Sequence, residues 1–112
     1  MPKVLSPALS KYSRDALSLL GALIREARLT STLTTTEVST RAGISRGLLQ
    51  RIERGDPGCG IGAVFEVAAI VGVPLFEMDE RLLPARLARQ TEKMALLPKS
   101  VRAPRTAVND DF

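Results

Sequence analysis

Residues 34–55, TTTEVSTRAGISRGLLQRIERG, are the stretch that decides the fold. Apolar residues recur in it at helical spacing over two short segments, about 35–42 and 46–54. Gly43 lies between these segments and can adopt the positive φ that ends a helix, and Ser45 can cap the helix that follows. The stretch therefore predicts two short helices joined by a tight, glycine-containing turn.

The second segment has two chemically different faces when its residues are placed about 100° apart around a helix axis. Leu48, Leu49 and Ile52 fall on one side, which is the pattern of a buried face. The opposite side carries a glycine, an amide and two guanidinium groups at spacing i, i+3, i+4 and i+7: Gly47, Gln50, Arg51 and Arg54. A helical hairpin with a solvated polar face would share this geometry, but the face lacks the alternating charges that are usual on solvated helices.

The chemistry of this polar face favours nucleic acid. Arg and Gln side chains form bidentate hydrogen bonds with the edges of guanine and adenine in the major groove. Glycine would let the helix backbone come close to the bases. We therefore predict base readout by Gly47, Gln50 and Arg51, and phosphate contacts by a flanking set: Thr35, Thr36, Ser45, Arg46 and Arg54.

The stretch and its flanks resemble the Cro/cI-type (XRE) helix-turn-helix family over about residues 17–75. The matching positions, in register, are Ile24-Arg25, Arg28, Leu33-Thr34, Val38, Gly43-Ile44-Ser45, Leu49, Ile52-Glu53, Gly55 and Pro57. The sequence departs from the family pattern at two places, since it has Thr35 where Gln is usual and Ser39 where Ala is usual.

This resemblance implies an all-α fold: a compact five-helix Cro/cI-type helix-turn-helix domain with an extra C-terminal helix and a disordered tail. It also implies that Glu53 forms a structural ion pair with an arginine of the first helix, either Arg25 or Arg28. The double-stranded DNA of an operator is the implied partner. Domains of this class read two half-sites about 34 Å apart, so a homodimer is expected.

Composition agrees with a polyanionic partner such as DNA, or with an acidic protein face, and excludes several other functions. The 112 residues carry a net charge of +4 and an isoelectric point near 9.8. The chain has no histidine and one cysteine, Cys59, so we expect no metal site, no cofactor and no enzyme activity. No apolar run approaches the roughly 18 residues of a spanning helix, and the N-terminus lacks a signal peptide's apolar centre. We expect a cytoplasmic protein, with no membrane contact, that is associated with the nucleoid through DNA.

The remaining chain organises around the predicted domain. Residues 1–12 read as a flexible N-terminal arm and 13–80 as the helix-turn-helix domain, whose first helix Ser10 or Ser13 can cap. Residues 62–71 are so apolar that we expect a helix buried nearly all round. A further helix over about 75–80 should close the core with Leu75, Phe76 and Met78.

The C-terminal part has two predicted segments. Residues 81–97 predict a helix with Pro84 in its first turn and a thin apolar stripe at Leu83, Leu87, Met94 and Leu97. Such a stripe would either fold back on its own domain or pair with a second copy of the chain. Residues 98–112 read as a disordered basic tail.

Two functions fit these features. The first is a dimeric, autoregulatory transcriptional repressor that binds a specific DNA sequence. The second follows from the layout and the style of the tail, which resemble the HipB-like antitoxins. That resemblance implies a protein of a toxin-antitoxin system that neutralises a HipA-like kinase toxin through protein binding and co-represses its operon.

Overall fold

The structure is a computed structural model that describes residues 8–101. This part of the chain is all-α and contains no strand, which confirms the predicted fold class. Its α-helices are α1 (Lys11–Thr30), α2 (Thr35–Ala42), α3 (Arg46–Glu53), α4 (Ile61–Val71) and α5 (Leu83–Ala95). Contacts divide it into two compact units, one that ends at Glu80 and one that begins at Arg81. Residues 1–7 of the predicted arm and 102–112 of the predicted tail lie outside the described residues.

The first helix starts at the earlier of the two possible caps. Ser10 is the N-cap, and its hydroxyl oxygen accepts a hydrogen bond from the backbone N–H of Ser13 at 3.1 Å. Lys11 and Tyr12, which the sequence analysis assigned to the arm, therefore lie in the first turn of α1.

The turn between α2 and α3 follows the predicted chemistry. Thr34 caps α2 through a capping box: its hydroxyl oxygen accepts from the Glu37 N–H at 3.0 Å, and its own N–H donates to the Glu37 carboxylate at 2.8 Å. Gly43 ends α2 with φ +71°. Ser45 then caps α3 by accepting from the Leu48 N–H at 3.0 Å. The two helices are thus started and stopped by local hydrogen bonds.

The core of the first unit lies where four helices meet. Its buried apolar residues come from each of them: Ile24, Val38, Leu49, Ile52, Val67, Ala68 and Val71. Aromatic side chains are absent from this set, so small and branched side chains fill the space. Ser39 is also buried, and its hydroxyl donates to the Thr36 carbonyl at 3.2 Å. That bond satisfies the polar group that stands where the resembled family has alanine.

Two predictions about the segments that follow α3 in the chain are wrong. The helix α4 is not buried nearly all round, because Gly62, Glu66 and Ala69 are exposed and Ile61 is 69% exposed. In place of the helix expected over 75–80, the chain forms two short 3-10 turns, Leu75–Glu77 and Glu80–Leu82. Leu75 packs against the core as predicted. Phe76 has φ +56° in the first of these turns, and its side chain is 72% exposed instead of closing the core. Positive φ at Phe76 interrupts the helical periodicity on which the prediction depended.

The second unit contains α5, with Pro84 in its first turn as predicted. Its apolar side chains are mostly exposed: Leu87, Met94 and Leu97 each keep about half or more of their surface in solvent. The Arg86 guanidinium donates to the Gln90 side-chain oxygen at 3.1 Å along the same helix.

Candidate nucleic-acid interface

The helix α3 has a buried inner face and an exposed outer face. Leu49 and Ile52 on the inner face are 0% and 3% exposed. The outer face is made of the exposed residues Arg46, Gly47, Gln50 and Arg54 together with the half-exposed Arg51. The structure therefore brings together the residues predicted to read bases and two of those predicted to contact phosphate.

Close backbone packing fixes the C-terminal end of α3 against α1. A Cβ atom added at Gly21 would lie 2.6 Å from the Ile52 carbonyl oxygen and 2.7 Å from that of Glu53. Gly55, just beyond α3, has φ +78°, and a Cβ there would lie 2.8 Å from the Leu17 carbonyl oxygen. The two helices can approach this closely only because both positions lack a side chain. The angle at which α3 presents its outer face is set here.

A buried ion pair ties the same end of α3 to α1. The Arg28 Nε and Nη2 atoms donate to the two carboxylate oxygens of Glu53 at 2.7 and 3.0 Å. Arg28 Nη1 donates to the Leu33 carbonyl at 3.1 Å, so the guanidinium also holds the chain that leads into α2. These side chains are only 9% and 6% exposed, and the hydrogen bond from Arg28 to Glu53 raises the pKa of the arginine. Of the two arginines considered, Arg28 makes the close pair, while Arg25 Nε is 3.9 Å from Glu53 and 62% exposed.

A second ion pair, which the sequence analysis did not anticipate, lies on the outer side of α3. The Arg51 Nε donates to the Asp56 Oδ2 at 3.0 Å, and the side chains are 43% and 34% exposed. The other oxygen of Asp56 accepts the Gly58 backbone N–H at 2.7 Å. The hydrogen bond from Gly58, followed by that from Arg51, lowers the pKa of Asp56. Arg51, a predicted base-reading residue, is thus already held by an acid of its own chain.

The other outer-face cations are not held in this way. Within residues 8–101, Arg46 and Arg54 form no ion pair, and both are exposed. Ser45 uses its hydroxyl oxygen as the α3 cap but keeps its own hydrogen as a donor. Thr36 is exposed in the first turn of α2, whereas Thr35 is half-buried. This set offers donors suited to phosphate oxygens, with Thr35 the least accessible of them.

Gly47 is a glycine that the fold of this chain does not require. It lies in the first turn of α3 with helical φ, and a Cβ added there would meet only the Ser45 Oγ, at 3.9 Å. A glycine inside a helix is unfavourable relative to alanine by about 0.5–1 kcal/mol. Its presence in open space on the outer face is consistent with the close approach of a ligand.

Three other features were searched for in the described part of the chain: a metal site, a reactive cysteine and a membrane-spanning helix. Residues 8–101 contain no group of three or more side chains that could hold a metal ion. Cys59 is half-buried beside the Arg51–Asp56 pair, and burial raises the pKa of its thiol, which disfavours the reactive thiolate. No helix in 8–101 has the length and apolar character needed to cross a membrane.

Two structural residues of the site were missed by sequence reasoning. Asp56 lies three residues after the end of α3 and begins Asp-Pro-Gly, a turn sequence. An Asx turn was therefore a recognisable signal, but its arginine partner was not. Gly21 lies in the middle of the amphipathic helix α1, where an isolated glycine lowers helix stability and so can mark a close contact.

Comparison with known protein families identifies the domain to which this surface belongs. A family model described as a helix-turn-helix domain matches residues 19–80, which is more than half of the chain. The match begins within α1 and continues through α4 and the first 3-10 turn. No curated protein is significantly similar to this chain.

Proposed function

This chain belongs to the helix-turn-helix domain family, and we propose that it is a dimeric, sequence-specific repressor that binds the operator of its own gene. Family membership makes it a DNA-binding regulator. The repressor role, the dimer and the autoregulation are our proposal. The observation that carries it is the outer face of α3, where exposed cations and an amide surround a glycine that packing does not demand.

In the proposed complex, α3 lies in the major groove. Gln50 and Arg51 contact base edges, and Gly47 lets the start of the helix approach the bases. Arg46 and Arg54 are exposed and form no ion pair within the described residues, so they can neutralise phosphates on either side. Ser45 and the threonines at the start of α2, Thr35 and Thr36, donate to phosphate oxygens and fix the register of the helix. We assign the chain no catalytic role, no cofactor and no metal, and we place its work in the cytoplasm, at the nucleoid.

The second unit supplies a surface suited to a homodimer. Five side chains of α5 and its C-terminal cap region recur at alternating spacings of four and three residues, as in the seam of a coiled coil: Leu83, Leu87, Gln90, Met94 and Leu97. Leu87 is 64% exposed, so this seam is accessible in the single chain. Two heptads are fewer than the three to four of a typical coiled coil, so we expect a dimer that depends on protein concentration.

A HipB-like antitoxin is the second candidate, and the layout of the chain and the basic, proline-containing sequence of residues 98–112 support it. Under this alternative, the chain binds a kinase-like toxin and represses the operon as a further activity. Removal of residues 98–112 would then abolish capture of the neighbouring gene's product and leave operator binding intact. If the truncation changes neither capture of that product nor operator binding, the antitoxin candidate loses its main support.

The decisive experiment measures binding to the DNA upstream of this protein's own start codon. Wild type is compared with the double variant Gln50→Ala/Arg51→Ala by fluorescence anisotropy at several salt concentrations, with a scrambled duplex as control. We expect tight binding by wild type that falls to the level of the scrambled duplex in the variant. Arg54→Ala should instead weaken binding to all sequences and reduce the slope of log K against log salt by about one unit. Equal, salt-driven binding by wild type and the double variant would refute base readout at this operator.

A further inference from the structure

We propose that Asp56 is a positioning residue for DNA recognition, which holds the Arg51 guanidinium by its Nε so that the two terminal amino groups are preset for the edge of a guanine. This inference rests on the proposed function, and it adds to it a residue that lies outside the recognition helix. It also states which edge of the guanidinium does the reading.

The hydrogen-bond geometry defines the free edge. A guanidinium has five N–H donors, one on Nε and four on the two terminal nitrogens. Asp56 takes the Nε donor at 3.0 Å, and the other oxygen of Asp56 is anchored by the Gly58 N–H at 2.7 Å. The carboxylate is therefore fixed to the backbone after α3, and it fixes Arg51 in turn. The terminal nitrogens are left for the O6 and N7 atoms of guanine, which a bidentate arginine contacts.

Gly58 provides the space for this arrangement. A Cβ atom added there would lie 3.2 Å from the Arg51 Nη2 and 3.2 Å from the Asp56 Oδ1. A side chain at this position would crowd both partners of the pair. The Asp-Pro-Gly turn thus supplies the acid, its anchor and the room for the guanidinium within three residues.

A purely structural role explains this pair poorly. Both side chains are substantially exposed, and exposed ion pairs contribute little to folding. A carboxylate beside the DNA-facing surface also repels phosphates and so weakens non-specific binding. An acid at this place can improve discrimination between sequences in two ways. It orders the Arg51 side chain before binding, so less conformational entropy is lost when DNA binds. Its charge also disfavours complexes in which Arg51 finds no matching base.

The test uses the full chain and a randomised duplex library from which wild type selects its preferred sequence. Arg51→Ala identifies the base pair that Arg51 reads, as the position where discrimination falls by about 5- to 150-fold. Affinities for the selected duplex and for each single-pair change are then measured for Asp56→Asn, Asp56→Ala and Gly58→Ala. We expect a loss of discrimination of about two- to tenfold at the Arg51-dependent pair, with little change at other positions.

Asp15→Asn is the matched control. Asp15 forms an exposed ion pair with Lys11 at 2.8 Å on α1. This variant therefore removes one carboxylate and one surface pair, as Asp56→Asn does, but on α1 instead of in the turn after α3. It should leave discrimination at every position unchanged. In the Arg51→Ala background, Asp56→Ala should cause no further loss at the Arg51-dependent pair, because the side chain that it positions is gone.

Thermal unfolding of each variant separates positioning from folding. If Asp56→Ala unfolds at the measurement temperature, Asp56→Asn and Gly58→Ala still decide the question, since both keep the turn largely intact. Full discrimination by these variants at the Arg51-dependent pair, or an equal loss at all positions, would overturn the inference while the proposed function stands. If wild type selects no sequence from the library, the proposed function fails and this inference fails with it.

Discussion

The two arginine–carboxylate pairs of α3 have similar chemistry and different surroundings. Arg28 meets Glu53 on the inner side at 2.7 Å with both side chains less than 10% exposed, and Arg51 meets Asp56 on the outer side at 3.0 Å with both more than 30% exposed. Breaking a buried pair leaves an uncompensated charge in a medium that solvates it poorly, whereas water replaces the partner of an exposed one. The inner pair is therefore part of the fold, and the outer pair is free to serve recognition.

The glycines on the inner and outer sides of α3 also differ in whether the fold requires them. Gly21 and Gly55 lie where a Cβ atom would collide with the backbone of a neighbouring helix, at 2.6 and 2.8 Å. Gly47 and Gly43 would meet almost nothing, and only Gly43 needs its positive φ of 71°. One glycine of the stretch, Gly47, is thus required neither by packing nor by backbone conformation. A role for this glycine would therefore lie in binding a ligand and not in folding.

We expect the largest change in stability from Arg28→Ala, which breaks the inner of the two ion pairs. The change leaves the Glu53 carboxylate buried without its partner, and we expect the free energy of unfolding to fall by about 3–5 kcal/mol. Urea denaturation followed by circular dichroism measures this. The matched control is Arg25→Ala, whose guanidinium is exposed and 3.9 Å from the same acid, and which should change stability by less than about 1 kcal/mol. Similar losses for both variants would show that burial does not distinguish the arginines around Glu53.

The second prediction compares glycine-to-alanine substitutions at the packed inner side and at the open outer side of α3. Gly21→Ala forces α1 away from the end of α3, and overpacking of this kind costs about 1–3 kcal/mol. Gly47→Ala should instead raise the free energy of unfolding by about 0.5–1 kcal/mol, because alanine is the better helix residue and the space is open. Its affinity for the operator should fall nevertheless. A Gly47→Ala protein that is more stable and binds as tightly as wild type would contradict the close approach of DNA at this position.

The smallest effect is on the pH dependence of stability. Hydrogen bonds from Gly58 and Arg51 lower the pKa of Asp56 below its ordinary value of 3.8 in the folded chain. The charged form is therefore favoured by folding, so its stabilisation is present above that ordinary value and is lost as the pH falls through the lowered pKa. Because the group is exposed, the loss should be small. Thermal unfolding of wild type and Asp56→Asn should differ at neutral pH and converge in acid, and a difference that stays constant over this range would contradict the predicted linkage.

Much of this fold could be predicted because its signals are local. The capping box at Thr34, the left-handed Gly43 and the cap at Ser45 each depend on a few neighbouring residues, and the sequence shows them directly. The helix predicted after α4 is wrong because the path of the chain there does not follow from its apolar spacing. Phe76 continues an apolar helical pattern, but Pro74 holds the chain extended before it, and the following residues turn with positive φ. Periodicity alone does not report such a change of direction.

By itself, the sequence determined the all-α class, the two helices of residues 34–55 and the division of α3 into an apolar and a polar face. These follow from spacing and from caps that each involve a short run of chain. Only the tertiary structure decided that Arg28 and not Arg25 holds Glu53 closely, that Gly21 is where α1 meets α3, and that Asp56 binds Arg51. The first two depend on residues that are distant in sequence, and the third on the path of a turn. In each case, the physical reason is that burial and contact are set by packing, which one-dimensional spacing does not contain.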